Sequence, residues 1–324
     1  MTVDLLGPLA YASFFLVMAL LNGLVCLGLN VQWGQTGLFN VGVAGFVAIG
    51  AYVSALLTTP ENDGHLGGFS FPIIVGWMGA AIAAGGVSVA VGALTLRLRA
   101  DYLAITTFGV AVVVQLIALN AQQLTGGAFG IAFIPRPFER LAASPVLYNL
   151  VNLALVAVVV SAIFVALERL ARSPWGRVLR ALREDERAAM AVGKSPARFR
   201  LQAFALGGAL MGLAGAMEAH FIGFIAPENY LSTLTFQVWA MLIVGGSGNN
   251  LGALLGAAVV WAMWTISGLL ISDIVPPAHE ARAAALRLAA IGVLLAAMIV
   301  VRPRGLIGER ALVSRHIADA DASS

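Results

Sequence analysis

Apolar residues come along this chain in blocks of membrane length, separated by short polar or glycine-rich breaks. A hydrocarbon core of about 30 Å takes roughly 20 apolar residues in a helix. Such blocks lie near Leu9–Leu29, Leu38–Leu57, Phe71–Leu96, Tyr102–Leu119, Val146–Leu167, Leu201–Gly223, Leu231–Gly245, Leu251–Ile271 and Leu286–Val301. Lipid offers the backbone no hydrogen-bond partner, which excludes an open sheet. The period-2 segments of a closed barrel are missing as well. The pattern therefore predicts an all-α integral membrane protein, a polytopic bundle of about nine spans with a range of about eight to ten. The seventh block is the shortest, because Gly245, Gly246 and Gly248 interrupt its end.

Composition sharpens this reading. Of 324 residues, 60% are hydrophobic and 11% charged, with mean hydropathy +0.91. Soluble domains carry about 25% charged residues, so a soluble enzyme of one or two domains is excluded, as are disorder, collagen and disulfide scaffolds. The single cysteine, Cys26, lies in an apolar run and allows neither an internal disulfide nor a cysteine metal cluster. His65, His220, His279 and His316 are scattered, with no pair at helical ligand spacing. Met1–Ala10 lacks a basic segment, so no cleavable leader is expected. Residues 1–316 are expected to form one transmembrane domain, followed by a polar tail over 317–324.

The basic residues set an expected orientation. Nine of the nineteen Lys and Arg lie between Arg169 and Arg200 against three acids, a window of +6 in a chain whose remainder is −3. Arg97 and Arg99 mark a second basic turn, and Arg302, Arg304, Arg310 and Arg315 a third. Assigned to the cytoplasm, these turns leave Thr58–Ser70 and Asn120–Pro145 outside. The N-terminus is then outside and the C-terminus cytoplasmic.

The window 169–200 reads as an elbow. Ser173 and Pro174 start a helix, Gly193 can end it in the left-handed conformation, and Ser195-Pro196 opens the next span. Trp175, Val178, Leu179, Leu182 and Ala189 fall on one face, and Arg177, Arg180, Arg183 and Arg187 on another. Two readings fit: a helix lying on anionic lipid, or a helix that docks a cytoplasmic partner on its apolar face, with Glu184, Asp185 and Glu186 setting polar contacts. The capped stop and immediate restart favour docking.

Several ordered motifs resemble one family. They are Gly34-Gln35-Thr36-Gly37-Leu38-Phe39-Asn40-Val41-Gly42 with Gly50-Ala51-Tyr52; Leu96 to Tyr102 with Ile105-Thr106-Thr107; and Thr125-Gly126-Gly127 to Gly130-Ile131. Ser173-Pro174-Trp175-Gly176-Arg177 through Ala189, Gly245-Gly246-Ser247-Gly248 and Arg302-Pro303-Arg304-Gly305-Leu306 complete the set. Together these are similar to the permease subunits of ABC importers for branched-chain amino acids, of the LivM type. The chain departs from that pattern at Val43-Ala44, where many relatives carry a histidine, and is expected to begin one helix later than longer members. Arg187 occupies the glutamate position of the E-A-A-x-x-x-G loop of the wider importer class, while Ala188, Ala189 and Gly193 keep its spacing.

The resemblance implies cytoplasmic ATP-binding subunits, a second permease chain, an extracytoplasmic substrate-binding protein and a bacterial inner-membrane location. It implies no cofactor in this chain, ATP and Mg²⁺ being used by partner subunits, and no nucleic acid. The chain has no G-x-x-x-x-G-K-[ST] loop to cradle phosphates. The elbow residues expected to couple to the ATPase are Trp175, Leu179, Leu182, Arg183, Glu184, Asp185, Glu186, Arg187, Ala189 and Gly193. Candidates for the pathway lining are Gln35, Asn40, Thr106, Thr107, Glu218 and His220, with Gln115, Asn120 and Gln237 as further polar positions. Glu218 and His220 lie near the outer end of the sixth block, where a wet interfacial pair is the alternative to pathway lining. The glycine breaks at 34–37 and 245–252 suit either unwound helices or close helix packing. Ser247 with His279 as an intramembrane protease is disfavoured, since His279 lies in an outer loop. An autonomous transporter or channel for a small polar solute is the remaining rival, and it would ordinarily require mid-membrane charge pairs or ion sites, of which this chain has almost none.

Overall fold

The computed structural model describes residues 6–61, 66–96, 100–141, 143–274, 280–302 and 305–309. The basic turn at Arg97 and Arg99, Arg304, Arg310, Arg315, His65, His279, His316 and the tail at 317–324 lie outside the described residues. Each apolar block carries a helix: α1 (Leu6–Leu29), α2 (Val43–Thr58), α3 (Ile73–Thr95), α4 (Ala100–Asn120), a single turn α5 (Gln122–Thr125), α6 (Pro145–Arg172), α7 (Pro174–Glu184), α8 (Glu186–Ala191), α9 (Pro196–Ile222), α10 (Ser232–Gly245), α11 (Asn250–Ile274) and α12 (Glu280–Val301). Among the described residues, six helices are long and apolar enough to cross a membrane: α1 with its extension to Gly34, α3, α4, α6, α9 and α11. The chain is a multi-pass, all-α membrane protein.

Two expected spans differ from their blocks. The block Leu38–Leu57 becomes helical only at Val43, because Leu38–Gly42 is spent on an irregular stretch. That leaves α2 with 16 residues, and α10 has 14. At 1.5 Å per residue these are about 24 and 21 Å long, short of a full crossing. The remaining reach comes from the stretches before them, residues 35–42 and 223–231.

Small residues decide the packing. Along α3 the buried positions are Gly76, Ala80, Ala84, Ser88, Gly92 and Thr95, almost all four apart, while Ile74, Met78, Ile82 and Leu94 point outward and exposed. The same spacing of four recurs on α6 at Tyr148, Asn152, Val156 and Val160. It recurs on α4 at Leu103, Thr107 and Ala111. Such a narrow buried seam with an apolar outer face suits a helix with lipid on one side and a neighbour on the other, since apolar side chains gain nothing by leaving lipid. α1 and α9 occupy the centre, buried along most of their length. α9 packs most extensively on α3 and α2, and α1 packs on α6, α11 and α9. Where α2 crosses α9, a Cβ on Gly50 would run into the backbone of Gly212, and one on Gly215 into the Val47 carbonyl.

At one end of the bundle the loop after α5 is pinned to the end of α9. Two-residue strands β1 (Ile131–Ala132) and β2 (Phe224–Ile225) pair antiparallel, Ile131 opposite Ile225. The Ile134 N–H donates to the Gly223 carbonyl at 3.1 Å, and Arg136 Nη2 donates to the Ile222 carbonyl at 2.6 Å. Both bonds serve the carbonyls that a helix end leaves free.

The α2–α9 crossing is the most sensitive contact in this architecture. Gly50→Leu is expected to cost about 1–3 kcal/mol through overpacking, lowering the apparent Tm of the purified protein. Gly86→Leu, on the exposed face of α3 with no atom within 4 Å of its Cβ position, is expected to leave the Tm unchanged. Equal midpoints for the two variants would contradict the packing described.

Candidate functional site

The helical ladder of α1 loosens before it ends. Residues Asn30–Gly34 form a π turn, closed by the Gln35 N–H on the Asn30 carbonyl at 3.0 Å. Gly37 follows with φ +72°, a left-handed conformation that glycine accepts without strain. The chain then runs irregularly to Gly42 inside the bundle. Buried backbone without regular structure needs other partners, and side chains supply them. Gln32 Nε2 donates to the Phe204 carbonyl at 2.8 Å, and Asn40 Nδ2 donates to Gln32 Oε1 at 2.7 Å. Asn40 Oδ1 accepts from Gly42 N–H at 2.8 Å. Thr107 Oγ1 accepts from Val41 N–H, and Thr235 Oγ1 from Ala44 N–H, each at 3.0 Å. Trp239 Nε1 donates to the Asn40 carbonyl at 2.9 Å. Its ring packs on Phe39 and Trp33, with centroids 4.8 and 5.3 Å away. These contacts seat the start of α2 and fill its surroundings.

A second seam of amides leaves the π turn in the other direction. Asn30 Oδ1 accepts from the Gly248 N–H at 2.8 Å, and Asn30 Nδ2 donates to Asn250 Oδ1 at 2.9 Å. Asn250 Nδ2 in turn reaches Glu168 Oε2 at 3.2 Å. The π turn therefore bonds α9 and the irregular stretch before α2 through Gln32, and α11 through Asn30, with Asn250 carrying the seam on to α6.

The elbow differs from the single helix expected over Ser173–Gly193. It breaks at Asp185, whose extended backbone separates α7 from α8. Asp185 Oδ1 accepts from the N–H groups of Arg187 and Ala188 at 2.9 and 3.0 Å, so this carboxylate caps α8. Ser173 occupies the cap position of α7, but its hydroxyl bonds back to the Leu170 carbonyl at 2.6 Å. Gly193 is left-handed at φ +78°, as expected.

Leu179, Leu182 and Ala189 are buried against the chain itself, and half-buried Trp175 donates to Gln202 Oε1 at 2.9 Å. Arg183 turns inward, away from the exposed basic face. Its Nη1 donates to the Gly34 carbonyl, and its Nη2 pairs with Glu309 at 2.7 Å. Glu186 pairs with Arg200 at 3.0 Å. Glu184 and Arg187 are exposed, as is the tip Met190–Lys194, where Val192 is 71% accessible. Arg183 thus places one face of the elbow on the break in α1 and the segment around Glu309, beside the Gly248 turn, while Trp175 and Glu186 fasten it to α9.

The remaining candidates separate. Asn40 and Thr107 share the buried network, and Gln35 is buried just after the π turn. Thr106 stands apart, bonded to its own helix at the Tyr102 carbonyl. His220 is fully buried, which removes the wet interfacial alternative for it. A carbonyl can only accept, so His220 Nδ1 donates to the Pro135 carbonyl at 2.7 Å, leaving Nε2 to accept from Ser54 Oγ at 2.8 Å. This serine–histidine pair pins α2, α9 and the loop after β1 together. Glu218 is half-buried and belongs to neither network. Ser247 is exposed, and no group of metal-binding side chains occurs among the described residues. The sequence reading missed Asn30, Gln32, Asn250 and Glu168. Two amides closing an apolar block, just ahead of a glycine-rich break, were the available signal.

The comparisons agree with this architecture. The family model for the branched-chain amino acid transport system / permease component matches residues 11–301. Over 304 residues the chain is 36% identical to the high-affinity branched-chain amino acid transport system permease protein LivM of Escherichia coli (strain K12), covering 87% of this chain and 66% of that protein. It is 29% identical over 282 residues to a probable branched-chain amino acid transport permease protein LivM of Methanocaldococcus jannaschii, covering 79% of each. It is 24% identical over 269 residues to the high-affinity branched-chain amino acid transport system permease protein LivH of Escherichia coli (strain K12), covering 77% of this chain and 82% of that protein. No solved structure matches the chain. With the family model spanning nearly the whole bundle, the chain belongs to the permease components of branched-chain amino acid transport systems.

Proposed function

We propose that this chain is the transmembrane permease subunit of an ATP-driven importer that carries branched-chain or related amino acids across a bacterial inner membrane. In this reading it has nine spans, its N-terminus outside and its C-terminus in the cytoplasm. It works with a second permease chain, cytoplasmic ATP-binding subunits and an extracytoplasmic substrate-binding protein, and it holds no cofactor of its own. The family and the relatives named above support the cargo class. The absence of a phosphate-binding loop from the sequence supports hydrolysis by a separate subunit.

The observation that carries the mechanism is the fastening of the elbow. Arg183 bonds both the Gly34 carbonyl, at the break in α1, and Glu309. The exposed tip Met190–Lys194 stands free of the bundle. An ATP-binding subunit that docks on the tip then moves α7 and α8, and Arg183 passes that displacement to residues 34–42, where no regular helix resists it. Asn40, Thr107 and Gln35 sit on or beside the stretch that moves. Orientation is supported by the same contacts, which gather the elbow, the Gly34 break and the Gly248 turn at one end, opposite the loop paired with β2.

Two variants separate docking from transmission. Arg183→Ala is expected to leave the complex assembled, as read by co-purification, while lowering substrate-stimulated ATP hydrolysis about ten-fold or more through loss of charged hydrogen bonds. Val192→Glu at the tip is expected to stop the ATP-binding subunits from co-purifying, without changing the Tm of the permease. Full stimulation in the first variant, or normal assembly in the second, would contradict the coupling role.

A further inference from the structure

A cavity of about 700 Å³ lies between the elbow and the bundle, a volume typical of small-molecule sites. Its walls come from the end of α6, from α7, from the turn that opens α11, and from the segment around Glu309. Three chemistries meet there. Arg177 and Arg180 contribute guanidinium groups from α7. Arg180 has no hydrogen-bond or ion-pair partner among the described residues, and Arg177 reaches only the Arg172 carbonyl at 3.4 Å. Glu168 lines the same cavity, held by Arg172 at 2.7 Å and by Asn250 at 3.2 Å. An ionised carboxylate has about four acceptor sites, so it retains capacity for a cation. Phe164, Leu251 and Ile307 supply apolar wall.

We propose that this cavity is a second, cytoplasmic-side site for a zwitterionic α-amino acid with an apolar side chain. The ligand carboxylate meets Arg180 and Arg177, a bidentate-capable pairing, and its ammonium meets Glu168. Its side chain lies on Phe164, Leu251 and Ile307. The mixed charge disfavours a phosphate, which Glu168 and Glu309 repel. Because the arginines belong to the elbow and the carboxylate to the bundle, an occupant ties the two together and resists the elbow displacement that drives transport. Cargo accumulating in the cytoplasm therefore slows its own uptake. The identity of the cargo and the side of the membrane rest on the importer reading given above.

The test uses the assembled complex in nanodiscs without the binding protein, and radiolabelled L-leucine as the probe. Saturable binding is expected. Leucinamide and 4-methyl-2-oxopentanoate, which each lack one of the two charges, are expected to compete about ten-fold less well than leucine. Arg180→Gln and Glu168→Gln should each weaken binding about ten-fold or more. Leu251→Trp keeps every charge, fills the cavity from a position 47% accessible, and should abolish binding. In proteoliposomes, leucine loaded on the side of the elbow should lower the initial rate of uptake in the native complex and leave the Leu251→Trp complex unaffected. No saturable binding, unchanged binding in all three variants, or displacement of leucine by inorganic phosphate at lower concentration than by leucine itself would overturn the assignment. Cavity-dependent leucine binding without ATP-driven uptake would support the site and refute the importer reading. Uptake with no cavity-dependent binding would do the reverse.

Discussion

A backbone group inside a bilayer must find its hydrogen-bond partner within the protein, and the rest of this structure follows from how that demand is met between Asn30 and Ala44. A continuous helix would meet it without side chains. Here the helix loosens into a π turn and then stops, so the stretch's own amides and groups from four other parts of the chain supply the bonds. Phe204 of α9, Thr107 of α4, Thr235 and Trp239 of α10, and Gly248 before α11 all converge on one stretch of fifteen residues. Each unpaired group there would cost about 1–3 kcal/mol, so the break persists only as long as those helices stay in place.

That dependence gives the fold two mechanical regions. On one side the α2, α3 and α9 contact is tight, with glycine, alanine and serine set four residues apart so that backbones approach closely. Close packing of that kind transmits strain and deforms little. On the other side, residues 34–42 carry few helical bonds and are fastened to the elbow through Arg183. Motion entering at the elbow meets the irregular stretch first. The His220–Ser54 pin and the β1–β2 pairing hold the opposite end, so the two ends of the bundle are fastened by different chemistries.

Much of this was legible in the residues, for physical reasons that can be named. Membrane-length apolar blocks fix helices because hydrocarbon admits so few alternatives, and all nine blocks carry one. The elbow was visible from Pro174, Gly193 and Pro196, which constrain the backbone directly. Its break at Asp185 was not, because a charged triplet gives no sign of which carboxylate will cap a helix. Nor was the direction of Arg183 visible. On a helical wheel it belongs with the exposed arginines, and only the positions of Gly34 and Glu309, distant in sequence, turn it inward. His220 misled for the opposite reason. A histidine near a span end reads as wet until the loop after β1 is seen to fold over it and offer the Pro135 carbonyl. Asn30 and Gln32 carried a usable signal, and the apolar residues around them masked it.

If the elbow and the irregular stretch move as one, both respond to nucleotide in the assembled complex. Hydrogen–deuterium exchange of the assembled complex, with and without a non-hydrolysable ATP analogue, measures both regions at once. The account predicts that nucleotide changes the exchange of residues 174–193 and of residues 30–42 together, and that Arg183→Ala confines the change to the elbow. A nucleotide response in the elbow of the native complex, with residues 30–42 unaltered, would contradict it.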